Sequence, residues 1–170
     1  MHLQVFYLVL SLLSPSTVAV PSIPKPPFTP PALPSLSSIL AYVTSHPSSG
    51  ACCAGLTYVL GADKVAFPVS VSYAGTLASY WTQQESAVLP KCVVEPVDTS
   101  DVSKAVYVLS VLGKQSGFKD ECKFAIKSGG HTPFAGAANQ QGGVTIDMAK
   151  FSQVTVNADK TVTAIGPGNR

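Results

Sequence analysis

One of only three histidines in the 170-residue chain closes the run Lys127-Ser128-Gly129-Gly130-His131. Paired glycines accept positive φ and let backbone N–H groups approach a ligand closely. Successive N–H groups in such a turn form a concave anion site suited to a pyrophosphate. Ser128 adds a hydroxyl donor and Lys127 a positive charge. A neutral imidazole delivered beside them is a competent nucleophile. The residue types therefore suit a phosphate-bearing ligand whose electrophilic carbon is captured by His131. The plainer reading of the same run is a solvated histidine on a surface turn. A serine hydrolase using Ser128 and His131 is a poor fit, because no G-x-S-x-G elbow is present and the two residues are too close for triad geometry.

The neighbouring elements must place that run. Lys123-Phe124-Ala125-Ile126 reads as a buried strand ending at the glycines. Cys92-Val93-Val94-Glu95, closed by Pro96, reads as an earlier strand. Asp98 to Asp101 supply capping residues for a helix from Val102 to about Lys114, buried along Val102, Ala105, Val106, Leu109 and Leu112 (or Val108). Strand, helix and strand make a βαβ unit. Further strands follow at Val144–Asp147, Val154–Val156 and Val162–Ile165, the last two joined as a hairpin by Asn157-Ala158-Asp159-Lys160. Upstream, Ser35–Ser45 and Ala51–Leu60 read as helices, the second ended by Gly61. Lys64–Phe67 reads as a short strand, and Tyr73–Trp81 is ambiguous. Tyr80 and Trp81 read as core residues. The fold class is α+β.

Composition narrows the function classes. Hydrophobic residues make up 46% of the chain, charged residues 12%, and the net charge is +2. Lys and Arg are scattered, so there is no electrostatic footprint for nucleic acid. Leu3 to Leu13 is an apolar run followed by small and helix-breaking residues, which reads as a signal peptide of residues 1–19, cut before Val20. The run falls short of the about 20 apolar residues of a membrane span, so no stable span is expected after cleavage. Residues 20–48 form a proline-rich linker and N-terminal extension, and residues 49–170 the domain.

Four cysteines, Cys52, Cys53, Cys92 and Cys122, are an even number in a chain that reads as secreted. Without C-x-x-C spacing, two disulfides are expected rather than a metal site. Adjacent Cys52 and Cys53 are strained as mutual partners, so each reaches one of Cys92 and Cys122. Spacing leaves open which reaches which.

Lys127 to His131 resembles the (Arg/Lys)-Ser-Gly-Gly-His signature of the berberine-bridge-enzyme-like branch of FAD-linked oxidases, in the vanillyl-alcohol-oxidase family with its PCMH-type FAD-binding domain. Pro90 to Pro96 with Asp101 to Val106 resembles that family's first strand and helix. Gly143-Val144-Thr145-Ile146-Asp147-Met148 resembles its Gly-Val-x-Ile-Asp-Leu strand, and Ile165 to Arg170 its Val-Gly-x-Gly turn. The resemblance runs from about Cys53 to Arg170, and Tyr80-Trp81, after Pro68 and Tyr73, is similar to the fungal secreted members. It implies the N-terminal, incomplete part of the FAD-binding domain of a secreted oxidoreductase that oxidises a small-molecule substrate by hydride transfer. It also implies that His131 bonds the flavin covalently and that Lys127, Ser128, Gly129 and Gly130 wrap the pyrophosphate. Thr132 and Gly136 continue that loop, and Gly166 and Gly168 approach the cofactor through backbone. Asp147 reads as a cap of the Met148-Ala149-Lys150 turn. Substrate-side residues are expected elsewhere in the longer relatives, and the alternative is a disulfide-stabilised secreted remnant without cofactor.

Overall fold

A computed structural model describes residues 29–170. The leader read at residues 1–19, and residues 20–28 of the proline-rich stretch, lie outside the described residues.

Helix α1 (Leu36–Ser45) starts where the Ser35 hydroxyl accepts the Ser38 N–H, and it buries Ile39 and Val43. Helix α2 (Ala51–Leu60) is buried over Ala51 to Leu56 and ends at Gly61, whose φ of 98° few other residues adopt. Gly50 precedes α2 and offers no side-chain cap. Glu121, 70 residues away, supplies one by accepting the Ala51 N–H at 2.8 Å while Lys91 donates to its other oxygen at 2.6 Å.

Strand β1 (Val65–Ala66) leads into helix α3 (Val71–Ala78) and a single turn, α4 (Gln83–Ser86). Strand β2 (Cys92–Val94), helix α5 (Thr99–Leu112), β3 (Phe124–Lys127) and β4 (Val144–Asp147) follow. The hairpin β5 (Val154–Val156) and β6 (Thr163–Ile165) forms a separate antiparallel pair.

The main sheet has the order β1-β2-β4-β3, with β1 antiparallel to β2 and the remaining pairs parallel. The expected βαβ unit is therefore split: β2 and β3 do not pair, and β4 lies between them. Period-two alternation divides the residues between the faces. Cys92, Val94, Val144 and Ile146 join α1, α2 and α5 in the principal core. Val93 turns to the opposite face and packs with Ala66 and Tyr73.

Two expectations need correction. The strand expected to be buried is the open edge of the sheet, with Phe124 and Ile126 exposed. They share register with Val144 and Ile146, but among the described residues β3 has no strand on its far side. On α5 the buried residues are Asp101, Ala105, Val108, Leu109 and Leu112. Val106 is exposed and Val108 takes its place, because the helix packs on α2 through the 101-105-108-112 stripe.

The cysteines pair Cys52 with Cys122 and Cys53 with Cys92. Consecutive residues of α2 are thereby tied to the segment after α5 and to β2. The helix also crosses α5 closely at Gly55, where a β-carbon would lie 2.7 Å from Leu112 Cδ1 and 3.1 Å from Val108 Cγ1.

Replacing a helical glycine by alanine ordinarily stabilises by roughly 0.5–1 kcal/mol. Here overpacking reverses the sign, and Gly55→Ala should destabilise by about 1–3 kcal/mol in denaturant unfolding. A second expectation concerns acid. The Lys91 hydrogen bond, opposed by burial and assisted by the Ala51 N–H, holds the Glu121 carboxyl below its ordinary range. A carboxyl lowered in the folded state stabilises above its unfolded pKa of about 4.3, and that contribution is lost as pH falls through the folded value. The melting temperature of wild type should therefore drop more steeply below about pH 4 than that of Glu121→Gln, as followed by circular dichroism.

Candidate cofactor-binding site

Both glycine-bearing segments meet at the carboxyl end of the parallel strands. β3 runs into Ser128-Gly129-Gly130-His131, and β4 runs into a 3-10 turn, Met148–Lys150, before the hairpin. The Ser128 hydroxyl donates to the Pro167 carbonyl, which joins the loop after β3 to the turn after β6. Gly168 lies so close to Met148 that a β-carbon would collide with its carbonyl. Gly166 and Gly168 donate their N–H groups to Gln153 and Phe151 at 2.7 and 3.0 Å, fixing the turn against the neck of the hairpin.

In the loop, Gly130 has φ of 67°, and a β-carbon on Gly129 would meet nothing within 4 Å. The N–H groups of Gly129, Gly130 and His131 donate to no acceptor among the described residues. Three successive donors thus have no acceptor among the described residues beside an exposed imidazole, with open space at Gly129 and the Tyr80 ring packed against Gly130. This arrangement fits an anionic, phosphate-bearing group.

The Lys127 side chain turns away from that opening. It is 0% exposed, and Nζ donates to Asp147 Oδ2 at 3.0 Å across the β3–β4 ladder. Thr76 donates to the same oxygen at 2.9 Å, and the Tyr80 ring centroid lies 5.2 Å from the ammonium. Asp147 does cap the 3-10 turn, accepting the Ala149 N–H through Oδ1 at 3.1 Å. It is equally the counter-ion of Lys127, a role its sequence neighbours do not reveal. Burial, reinforced by the charges of Glu85 and Asp147, raises the Tyr80 phenol far above its usual range. Tyr80 is therefore a fixed neutral donor, bonded to the Ala138 carbonyl at 2.7 Å.

Residues 80–85 grip the histidine loop throughout its length. The main-chain N–H of Trp81 donates to the Gly130 carbonyl at 3.2 Å, and the Thr82 hydroxyl to the Thr132 carbonyl at 3.2 Å. Glu85, fully buried, accepts the N–H groups of Gly136 and Ala138 at 3.0 and 2.7 Å. The Gly136 donor is therefore turned inward, and its φ of 85° serves the turn around Glu85. Asn139 extends the network, donating to the Glu85 and Val88 carbonyls and accepting from Thr145.

Trp81 also corrects an expectation. Instead of entering the core it is 63% exposed and stacks on His131, with ring centroids 4.9 Å apart and planes 19° from parallel. Sequence reading missed Thr76, Glu85 and Asn139 as well. Thr82-x-x-Glu85 has the pattern of a capping box, and Thr82 does accept the Glu85 N–H at 3.4 Å. The Glu85 carboxylate, however, goes to the loop.

No protein-family profile matches the chain. Among curated proteins it is 33% identical over 147 residues to an FAD-dependent monooxygenase of Cercospora beticola, covering 79% of this chain and 28% of that protein. It is 37% identical over 119 residues to an FAD-dependent monooxygenase of Emericella nidulans, covering 70% of this chain and 23% of the relative. A 95-residue stretch is 43% identical to part of an oligopeptidase of Diaporthe leptostromiformis, 56% of this chain but only 8% of that protein. The chain thus spans between 8% and 28% of the length of these curated relatives. Among solved structures, 6-hydroxy-D-nicotine oxidase from Arthrobacter nicotinovorans superposes with a TM-score of 0.50 at 22% identity, over 62% of this chain and 21% of that one. A variant of Phl p 4, a glucose dehydrogenase, gives 0.50 at 18% identity, over 68% and 23%. The mixed sheet thus shares its fold with part of these solved structures, and in sequence the chain is similar to FAD-dependent monooxygenases over most of its described length.

Proposed function

We propose that this chain forms part of the FAD site of a secreted oxidoreductase, with the cofactor bonded covalently to a ring nitrogen of His131. The observation that carries this reading is the set of three unpaired N–H groups at Gly129, Gly130 and His131, adjoining an exposed imidazole. Residues 49–170 are its share of the FAD-binding domain, behind a leader of residues 1–19 and a linker and extension of residues 20–48. Two disulfides support an extracellular setting, and no helix among the described residues is long and apolar enough to cross a membrane.

Each residue has a stated part. Gly129 and Gly130 present backbone donors to the pyrophosphate, and the open space at Gly129 leaves room for its approach. Ser128 holds the loop to the Gly166-Pro167-Gly168 turn, whose glycines let a second backbone segment come close. Lys127 contributes through its strand and backbone, because its ammonium is committed to Asp147. Thr132 and Gly136 shape the remainder of the loop through their bonds to Thr82 and Glu85. Bound FAD supplies the redox chemistry, taking a hydride from a small organic substrate, with O₂ or another acceptor closing the cycle.

The test is covalent retention. Wild-type protein supplied with FAD and denatured in SDS should give a flavin-fluorescent band, and His131→Ala should lose it while keeping its far-ultraviolet circular dichroism spectrum. A dark wild-type band after FAD supplementation would overturn covalent attachment and favour a remnant without cofactor.

A further inference from the structure

We infer that Trp81 is a positioning residue for His131, setting the plane of the imidazole at which the cofactor is held. This inference rests on the attachment reading above and adds a residue to it. Among the described residues the His131 ring makes no hydrogen bond. The aromatic ring packed on it is that of Trp81, 4.9 Å away and within 19° of parallel.

The backbone that carries the indole is held from both sides. The main-chain N–H of Trp81 donates to the carbonyl of Gly130, the residue immediately before His131. The preceding Tyr80 is anchored to Ala138, and the following Thr82 to Thr132. Tyr80, Trp81 and Thr82 thus meet the loop at Ala138, Gly130 and Thr132, so the backbone bearing the indole is tied to the loop bearing the imidazole.

Stacking suits this task on geometric grounds. A bond from a ring nitrogen lies in the imidazole plane, whereas a stacked partner occupies the perpendicular direction. Trp81 can therefore cover one face of His131 and restrict its rotation while both ring nitrogens stay accessible. Hydrogen-bonded orientation, the usual device for a functional histidine, would instead occupy one of those nitrogens. Offset stacking of two aromatic rings is a favourable arrangement in its own right. An exposure of 63% also explains why the indole is not required by the core.

The experiment compares wild type with Trp81→Ala, Trp81→Phe and His131→Ala, all as the full chain. Apo-protein is mixed with FAD, and SDS-resistant flavin fluorescence is followed with time. Trp81→Ala should slow covalent incorporation by about tenfold, and Trp81→Phe, which keeps a stacking ring, should restore it to within about twofold of wild type. Incorporation by Trp81→Ala at the wild-type rate, with an unchanged melting temperature, overturns the inference. So does failure of both Trp81 variants alike, which would assign Trp81 a role other than stacking. A second readout needs no flavin. Trp81 is the sole tryptophan of the chain, so His131→Ala should change its near-ultraviolet circular dichroism and emission. An unchanged indole signal in that variant also overturns the inference. A wild-type chain that retains no flavin while its indole signal responds to His131→Ala instead refutes the attachment reading and leaves the ring contact established.

Discussion

A lysine and an aspartate, both shielded from water, close the β3–β4 ladder, and both glycine-bearing turns depart from that point. Lys127 and Asp147 are register partners on neighbouring parallel strands. One residue after Lys127 the chain enters the histidine loop. One residue after Asp147 it enters the 3-10 turn that leads to the hairpin. Removing one member of a buried pair typically costs about 3–5 kcal/mol, because the other charge is left without compensation. Thr76 shares the load on Asp147, and the Tyr80 ring lies close to the ammonium. The position of the open loop is thus set by a polar cluster on the side of the sheet away from the principal core.

That cluster gives the two faces of the sheet different duties. One face is apolar, with α2 and α5 packed on Cys92, Val94, Val144 and Ile146. The other turns Thr145 and Asp147 toward Asn139, Thr76 and Lys127. Buried polar networks are costly when partly satisfied and rigid when complete. Here every buried side-chain polar atom among the described residues has a partner. The network continues through Glu85 into the histidine loop, so a loop with few apolar anchors of its own is held by carboxylate and amide contacts.

Much of this fold can be read from local sequence. α1, α2 and α5 follow from apolar spacing and from end signals at Ser35, Gly61 and Asp98, and the β5–β6 hairpin follows from its turn chemistry. The glycine and histidine pattern marks the loop. What escapes is whatever depends on contacts between distant segments. Lys127 looks like a loop cation until Asp147 is placed beside it. β3 looks buried from its apolar residues, yet strand order makes it an edge. Trp81 reads as core on hydrophobicity, but the chain on either side of it is anchored to the loop and the indole lies over His131. Glu85 resembles a helix cap, and only the folded loop gives its carboxylate another partner.

The arrangement of cysteines on α2 has a rotational consequence. Successive residues of an α-helix point about 100° apart, so exchanging the partners of Cys52 and Cys53 would demand a comparable roll of α2. Such a roll would carry Gly55 away from Leu112 and bring bulkier neighbours into the narrow crossing. The two possible pairings differ by a single position in sequence but by a whole packing arrangement in space. The core itself thereby distinguishes the native isomer from its mispaired twin, with one missing side chain acting as the key that admits only the correct helix phase.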